Sequence, residues 1–199
     1  MNTLTSKILS IFSSHFKSID AKKKQIRTDI RWLKKELSVE QKQAEADAVF
    51  REIELLPEFI NAETVLFYWA MRDELPTQLA IKKWCIEKKI LLPSIDQNKL
   101  VLKQYDYTGK LTQKNLGIWE PDLVENYEGK VDLVIVPGIA FDRKRNRLGR
   151  GKGYYDRFFK KYKPAKIGVA FDCQLLDTVP IAKHDIKMDK IITPSEIIQ

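Results

Sequence analysis

The sequence predicts an α/β domain with a largely parallel sheet, on three observations. Thr64–Trp69, Val131–Val136 and Ala165–Phe171 are short apolar, β-branched or aromatic runs without helical period, as strands covered on both faces require. Segments with apolar residues three and four apart alternate with them, which is helical spacing. No internal repeat, low-complexity tract or linker divides the chain. Strands alternating with helices point to parallel βαβ connections, and the 199 residues read as one domain over 20–199 after an extension, 1–19.

The elements follow in order. Residues 1–19 have no acidic residue, five serines and scattered apolar groups such as Ile8, Leu9 and Phe12. They lack the continuous apolar core of a secretory signal and the arginines of a mitochondrial one, so they read as a short amphipathic extension. Lys22–Leu37 carries Ile26, Ile30, Leu33 and Leu37 on one helical stripe, with Lys23, Lys24 and Arg27 on the polar side near its start. Ser38-Val39-Glu40-Gln41 fits a capping box for a second helix to about Leu56, which Pro57 ends.

Thr64–Trp69 is the first strand. Asp73 and Glu74 lie just past its end, where the ligand crevice of an α/β sheet forms. Pro76–Lys89 returns to helical spacing. Ile90–Pro93 is a short strand, and Lys99–Tyr107 alternates as a half-exposed one. Tyr107–Lys110 reads as a turn, and Asn115–Pro121 as a loop whose Trp119 either stacks on a flat ligand or packs. After Ala165–Phe171, residues 177–187 are loop-like, and Lys190–Thr193 closes as a short strand.

The chain is organised around Val131–Phe159. Its apolar strand stops at Pro137-Gly138. A loop follows with Arg143, Lys144, Arg145, Arg147, Arg150 and Lys152, in which Gly149, Gly151 and Gly153 alternate with cations. A helix opens near Tyr154. Glycines let the backbone approach an anion, and a helix start directs its positive end at the same place. A strand, a basic glycine loop and a helix start therefore suit a polyphosphate, ATP first. The loop is neither G-x-x-x-x-G-K-[ST], because Gly153 replaces the hydroxyl residue, nor G-x-G-x-x-G, because Tyr154 takes the third glycine position. Asp156 is either a hard ligand for magnesium or a charge balancer among cations.

Composition narrows the partners. Lys and Arg number 35 against 27 Asp and Glu, a net charge of +8, which suits an anionic ligand. A nucleic-acid surface would spread its cations along a face, whereas these gather in one loop, and Tyr155, Phe158 and Phe159 have core spacing. No nucleic-acid or membrane partner is expected. Cys85 and Cys173 match no metal or redox spacing and read as reduced thiols of a cytoplasmic protein. His15 and His184 are the only histidines, and neither sits in a nucleophile-base arrangement. Phosphoryl transfer, which works by positioning and charge neutralisation, needs none.

Pro137–Asp142 followed by Asn146–Asp156 closely resembles the signature of the 5-formyltetrahydrofolate cyclo-ligase family. The resemblance extends in family order to Lys23–Arg27, Met71–Glu74, Gly117–Pro121 and His184–Asp189, covering roughly residues 20 to 195. It implies an ATP- and Mg²⁺-dependent ligase that turns 5-formyltetrahydrofolate into 5,10-methenyltetrahydrofolate. The implied fold is the three-layer αβα type shared with ribose-5-phosphate isomerase and CoA-transferase relatives; a monomer is expected, though not from the resemblance. By the same resemblance ATP is contacted by Lys23, Lys24, Gln25, Ile26 and Arg27 and by Arg147, Leu148, Gly149, Arg150, Gly151, Lys152, Gly153, Tyr154 and Tyr155. Trp69, Glu74 and Arg150 to Tyr154 match folate-contacting positions. Asp156 and Asp185 match the magnesium carboxylates.

Overall fold

The computed structural model describes residues 18–107, 110–113, 119–122 and 125–199. The extension as far as residue 17, with His15, the turn at 108–109 and most of the 115–121 loop lie outside the described residues. Helix α1 runs Ile19–Leu33, and its Ser18 cap accepts from the Ala21 N–H at 3.2 Å. It ends four residues before the expected Leu37, with Lys34 as its cap residue and the Lys34 side chain buried against Asp73. Helix α2 is Val39–Glu54, and the capping box forms: Gln41 N–H donates to Ser38 Oγ at 3.1 Å, and Ser38 N–H to Gln41 Oε1 at 2.8 Å. Pro57 starts a short helix, α3 (Pro57–Ile60), as well as following α2, since its missing N–H is free of duty in a first turn.

Strand β1 covers Thr64–Leu66, shorter than the apolar run. The next residues stay buried but leave the ladder, and the Tyr68 hydroxyl donates to the Leu75 carbonyl at 3.0 Å. Helix α4 is Gln78–Trp84. Strands β2 (Lys89–Asp96) and β3 (Lys99–Gln104) form an antiparallel hairpin, with Gln97 and Asn98 both at positive φ in the turn. The strand expected at 90–93 is therefore twice that long. Strands β4 (Leu111–Gln113) and β5 (Trp119–Pro121) pair antiparallel.

Strand β6 is Leu133–Pro137. The cationic stretch after it is in part a hairpin, β7 (Ala140–Asp142) against β8 (Arg147–Leu148), where the sequence predicts continuous loop. The reason is Asp142. Its fully buried carboxylate accepts from the Lys144, Asn146 and Val179 N–H groups at 2.9, 3.0 and 2.9 Å, and from the Asn146 side chain at 2.9 Å. Helix α5 is Tyr154–Lys161, starting where the sequence places it. Then come β9 (Ala165–Val169), a 3₁₀ turn (Asp172–Gln174), β10 (Leu175–Leu176), β11 (Lys190–Ile192) and β12 (Ile197–Ile198).

The main sheet has the order β12-β11-β9-β6-β1-β2-β3. The five inner strands are parallel, and both edges are antiparallel. Alternate strand residues point to opposite faces. Val65, Ile90, Leu133 and Ile167 pack with Val49, Ile53 and Trp84 of the helices on one face. Leu66, Leu91, Val134 and Ile191 pack with Phe158 and Phe159 of α5 on the other. Helix α1 covers the small β7–β8 sheet through Ile26 and Ile30 against Ile139, Ala140 and Leu148. The protein is α/β with a mostly parallel central sheet covered on both faces.

Candidate functional site

The chain runs from β1 outward to β2, then returns to lay β6 on the other side of β1. The crevice beyond the carboxyl ends of β1 and β6 is thus the point where strand order reverses, where α/β sheets bind ligands. A cleft of about 800 Å³ opens there. Three walls make it: the segment after β1 with Trp69, Met71 and Glu74; the loop and helix start from Arg147 to Lys160; and one stripe of α1.

Helix α1 presents two stripes. Ile26 and Ile30 face the core, while Asp20, Lys23, Arg27 and Arg31, spaced three and four apart, face the cleft. Arg27 Nε donates to the Gly149 carbonyl at 3.0 Å, fastening helix to glycine loop. The approach is close enough that a Cβ on Gly151 would meet the Arg27 guanidinium at 3.3 Å, and Gly151 itself sits at φ +99°. Gly153, at φ +65°, is the cap of α5, so the helix opens directly out of the loop. The Gly149–Gly153 backbone, Arg27 and the amino end of α5 therefore surround one space.

Arg150 crosses that space. Its Nε and Nη2 donate to Glu74 Oε1 at 3.1 and 3.0 Å, and Nη2 also to Asp73 Oδ1 at 2.7 Å. Burial works to lower the Arg150 guanidinium, but the Glu74 charge and the two carboxylate bonds raise it above its ordinary value. Glu74 is 9% exposed, and its Oε2 accepts from the Met71 N–H at 3.0 Å. Trp69 leans on Tyr105 with ring centroids 5.7 Å apart, and Pro93, Ile95 and Leu100 complete an apolar end of the cleft.

Asp156 and Asp185 line the opposite end. Asp156 Oδ2 accepts from Arg147 Nη2 at 3.0 Å, and its Oδ1 from the Ile186 N–H at 3.2 Å, which draws the 182–188 loop against α5. Asp185 Oδ2 accepts from Lys23 and from the Ala182 N–H. Burial works to raise the Asp185 carboxyl, but the bond from Lys23 prevails and holds it below the usual carboxylate range. Among the described residues, two buried polar atoms of the cleft residues have no hydrogen-bond partner: Arg147 Nε and the Tyr155 hydroxyl. Burial first, then the Glu74 charge, pushes the Tyr155 phenol far up, so it stays a neutral donor.

The structure thus gathers Lys23, Arg27, Trp69, Glu74, Arg147 through Asp156, and Asp185 around one cleft. Lys24, Gln25 and Ile26 do not line it. Lys24 is exposed, Gln25 bonds Asp29 at 2.7 Å one turn on, and Ile26 is core. A helix turns 100° per residue, so five consecutive residues cannot share one face. Sequence reasoning missed Arg31, Lys160 and the apolar wall of β2 and β3. Helical spacing from Lys23 and Arg27 would have found Arg31. The hairpin residues carry no chemical signal in the sequence. Eight lysines and arginines against four carboxylates line the cleft, which suits a multiply charged anion beside a flat apolar group. Among the described residues no three His, Cys, Asp or Glu side chains gather as a metal cage.

The sequence model of the 5-formyltetrahydrofolate cyclo-ligase family matches residues 19–194. The 5-formyltetrahydrofolate cyclo-ligase of Haemophilus influenzae is 31% identical over 182 residues, covering 86% of this chain and 97% of its own. That of Escherichia coli K12 is 32% identical over 178 residues, covering 84% and 98%. Among solved structures, the 5,10-methenyltetrahydrofolate synthetase of Aquifex aeolicus superposes with a TM-score of 0.81 at 31% identity, over 89% of this chain and 92% of that one. The Mycoplasma pneumoniae synthetase has a TM-score of 0.70 at 20% identity, a likeness of fold.

Proposed function

The chain belongs to the 5-formyltetrahydrofolate cyclo-ligase family of ligases, and from that premise we propose that it closes 5-formyltetrahydrofolate to 5,10-methenyltetrahydrofolate with cleavage of ATP to ADP and phosphate. One observation carries the reading: Arg150 joins the glycine loop to Glu74, so a cationic glycine loop suited to phosphate and a buried carboxylate border the same cleft. Kinship of the fold with ribose-5-phosphate isomerase and CoA-transferases, and action as a cytoplasmic monomer, belong to the same proposal.

The chemistry asks for positioning. A formyl oxygen leaves poorly as oxide, so the γ-phosphoryl group of ATP is transferred to it. N10 of the same folate then attacks the activated carbon and gives up its proton to solvent, the C–O bond breaks, and phosphate leaves as the ring closes. Because N10 and the formyl carbon belong to one molecule, holding the conformer replaces a collision. The Gly149–Gly153 amides, Lys23, Arg27 and Lys152 neutralise phosphate charge. Glu74 accepts from the N–H groups of the pterin, Trp69 supplies a face for stacking, and the Tyr155 hydroxyl and Arg147 Nε are unpaired donors on the wall.

The residues fit a magnesium ion by the chemistry of their donors. Asp156 and Asp185 are hard oxygen ligands bordering the glycine loop, and an ion shared with phosphates and water needs no larger protein cage. When bound, it supplies neutralisation of phosphate charge. Arg147 bonds Asp156 and Lys23 bonds Asp185 at the edge of the cleft.

The test mixes the protein, 5-formyltetrahydrofolate, ATP and Mg²⁺ and follows the methenyl product by absorbance. An ATP-dependent signal is expected, and its absence from folded protein overturns the reading. Asp156→Asn is expected to move the Mg²⁺ requirement to higher concentration. A titration identical to that of the unsubstituted enzyme assigns Asp156 to holding Arg147 alone.

A further inference from the structure

Lys34 lies outside the cleft and is among the most deeply buried cations of the fold, its side chain 2% exposed. Its ammonium donates to both the Asp73 carbonyl and, at 3.2 Å, Asp73 Oδ2. Burial pushes the ammonium downward in pKa, against the charge of Asp73. Burying such a group is costly, and an apolar side chain of similar size often serves stability as well or better. Packing alone therefore does not account for a cation at this position.

The account lies in what Lys34 does to its neighbours. It occupies the carbonyl and one oxygen of Asp73, leaving Oδ1 for Arg150 at 2.7 Å. Arg150 is thereby placed between Asp73 and Glu74, with two further bonds to Glu74 Oε1. Glu74 Oε2 is in turn held by the Met71 N–H. Two cations and two carboxylates alternate, Lys34 to Asp73 to Arg150 to Glu74. Without Lys34 two adjacent carboxylates compete for one guanidinium, and the backbone at Asp73 loses its tether.

We infer that Lys34 is a positioning residue for folate binding, acting through Asp73 and Arg150 to fix Glu74 while touching no reactant. This rests on the cyclo-ligase reading and deepens it. The far end of the same helix carries Lys23 and Arg27, so α1 positions the nucleotide side with one end and the folate side with the other.

The test uses the full chain with no substitution and with Lys34→Met, Lys34→Arg and Asp73→Asn, varying each substrate in turn. Calorimetry of 5-formyltetrahydrofolate binding without ATP reads the same difference without turnover. Lys34→Met is expected to raise the KM for 5-formyltetrahydrofolate roughly tenfold, a displacement of the acceptor by under 1 Å being enough, with the KM for ATP within about twofold. Lys34→Arg recovers most of the loss. Where Lys34→Met does not fold, Asp73→Asn keeps the shape, removes the charge and shows the same split. Equal changes in both KM values, or none, in a folded variant overturn the inference. An unsubstituted protein silent in both assays overturns the cyclo-ligase reading instead, so the two failures are distinct.

Discussion

Arg150 and Phe141 show two ways in which one residue organises this molecule. Arg150 holds Glu74 with two nitrogens on one oxygen. Glu74→Gln neutralises the acceptor of both bonds while the Arg150 guanidinium keeps its charge, which weakens contacts of about 1.5–3 kcal/mol each. The KM for 5-formyltetrahydrofolate is expected to rise roughly tenfold or more, while circular dichroism shows an unchanged fold. Phe141 is fully buried, with its ring wedged between two glycines. A Cβ on Gly168 would fall 2.6 Å from its ring, and one on Gly138 2.5 Å. Gly168→Ala is expected to destabilise by about 1–3 kcal/mol, the usual effect of overpacking. Adding Phe141→Leu recovers part of that loss, because the collision goes. Thermal melts of the two single variants and the double variant read the coupling, and simple additivity counts against the wedge. Gly138 reads in the sequence as the stop of a strand. Its need for a bare backbone comes from an aromatic ring three residues on that folds back over it, which no local pattern reports.

At the scale of elements, the helices were legible where their signals are local. Ser38 and Gln41 form the predicted capping box, and α5 opens at Tyr154 as the loop's last glycine predicts. Ser38→Ala is expected to lower stability by about 1 kcal/mol, checked by the midpoint of denaturant unfolding. An unchanged midpoint implies that packing of Val49, Phe50 and Ile53 alone holds α2. The ends of strands were less legible. Thr64–Trp69 is β-branched, apolar or aromatic throughout, but ladder pairing stops at Leu66 because the chain bends to bring Trp69 and Glu74 over the sheet end. The β7–β8 hairpin looked like loop because its strands are two and three residues long and its turn is full of cations. Asp142 makes it a hairpin, and the Val179 N–H that completes that carboxylate's shell comes from 37 residues away.

At the scale of the whole molecule, charge links stability to pH. Burial works to raise the Asp73 and Asp185 carboxyls, but bonds from Arg150 and Lys34 on one and from Lys23 on the other hold both below the ordinary 3.8. A carboxyl depressed in the folded state contributes stability that is complete above its unfolded value and is lost as pH falls through the folded one. Stability is therefore expected to decline below about pH 4, followed by intrinsic fluorescence, and Asp185→Asn makes that decline shallower. Cys173 works at the other end. Burial first, then the Glu45 charge, pushes its thiol up to about 11 from 9.0. The stability from keeping it neutral is complete below 9 and is lost as pH rises toward 11. Alkylation of Cys173 in the folded protein is expected to stay slow until that range, and fast reaction near pH 8 contradicts it.

The division between sequence and structure follows the range of the forces. Hydrophobic period, capping chemistry and the glycine-cation loop act within a few residues, so the α/β class and the starts of α2 and α5 were determined by the sequence alone, and the loop we propose to hold phosphate was legible there. The family signature was legible for the same reason, being one nearly continuous stretch with shorter segments in order. Which of Lys23–Arg27 face the cleft depended on how α1 rolls against Ile139 and Leu148, and the core contact of Ile26 decided it. That Lys34 and Arg150 converge on Asp73, and that Glu74 stands across from a glycine loop 75 and more residues later, was decided only by tertiary structure. The cause is strand order: β6 returns to the side of β1 away from β2, and the reversal places two distant loops at one crevice.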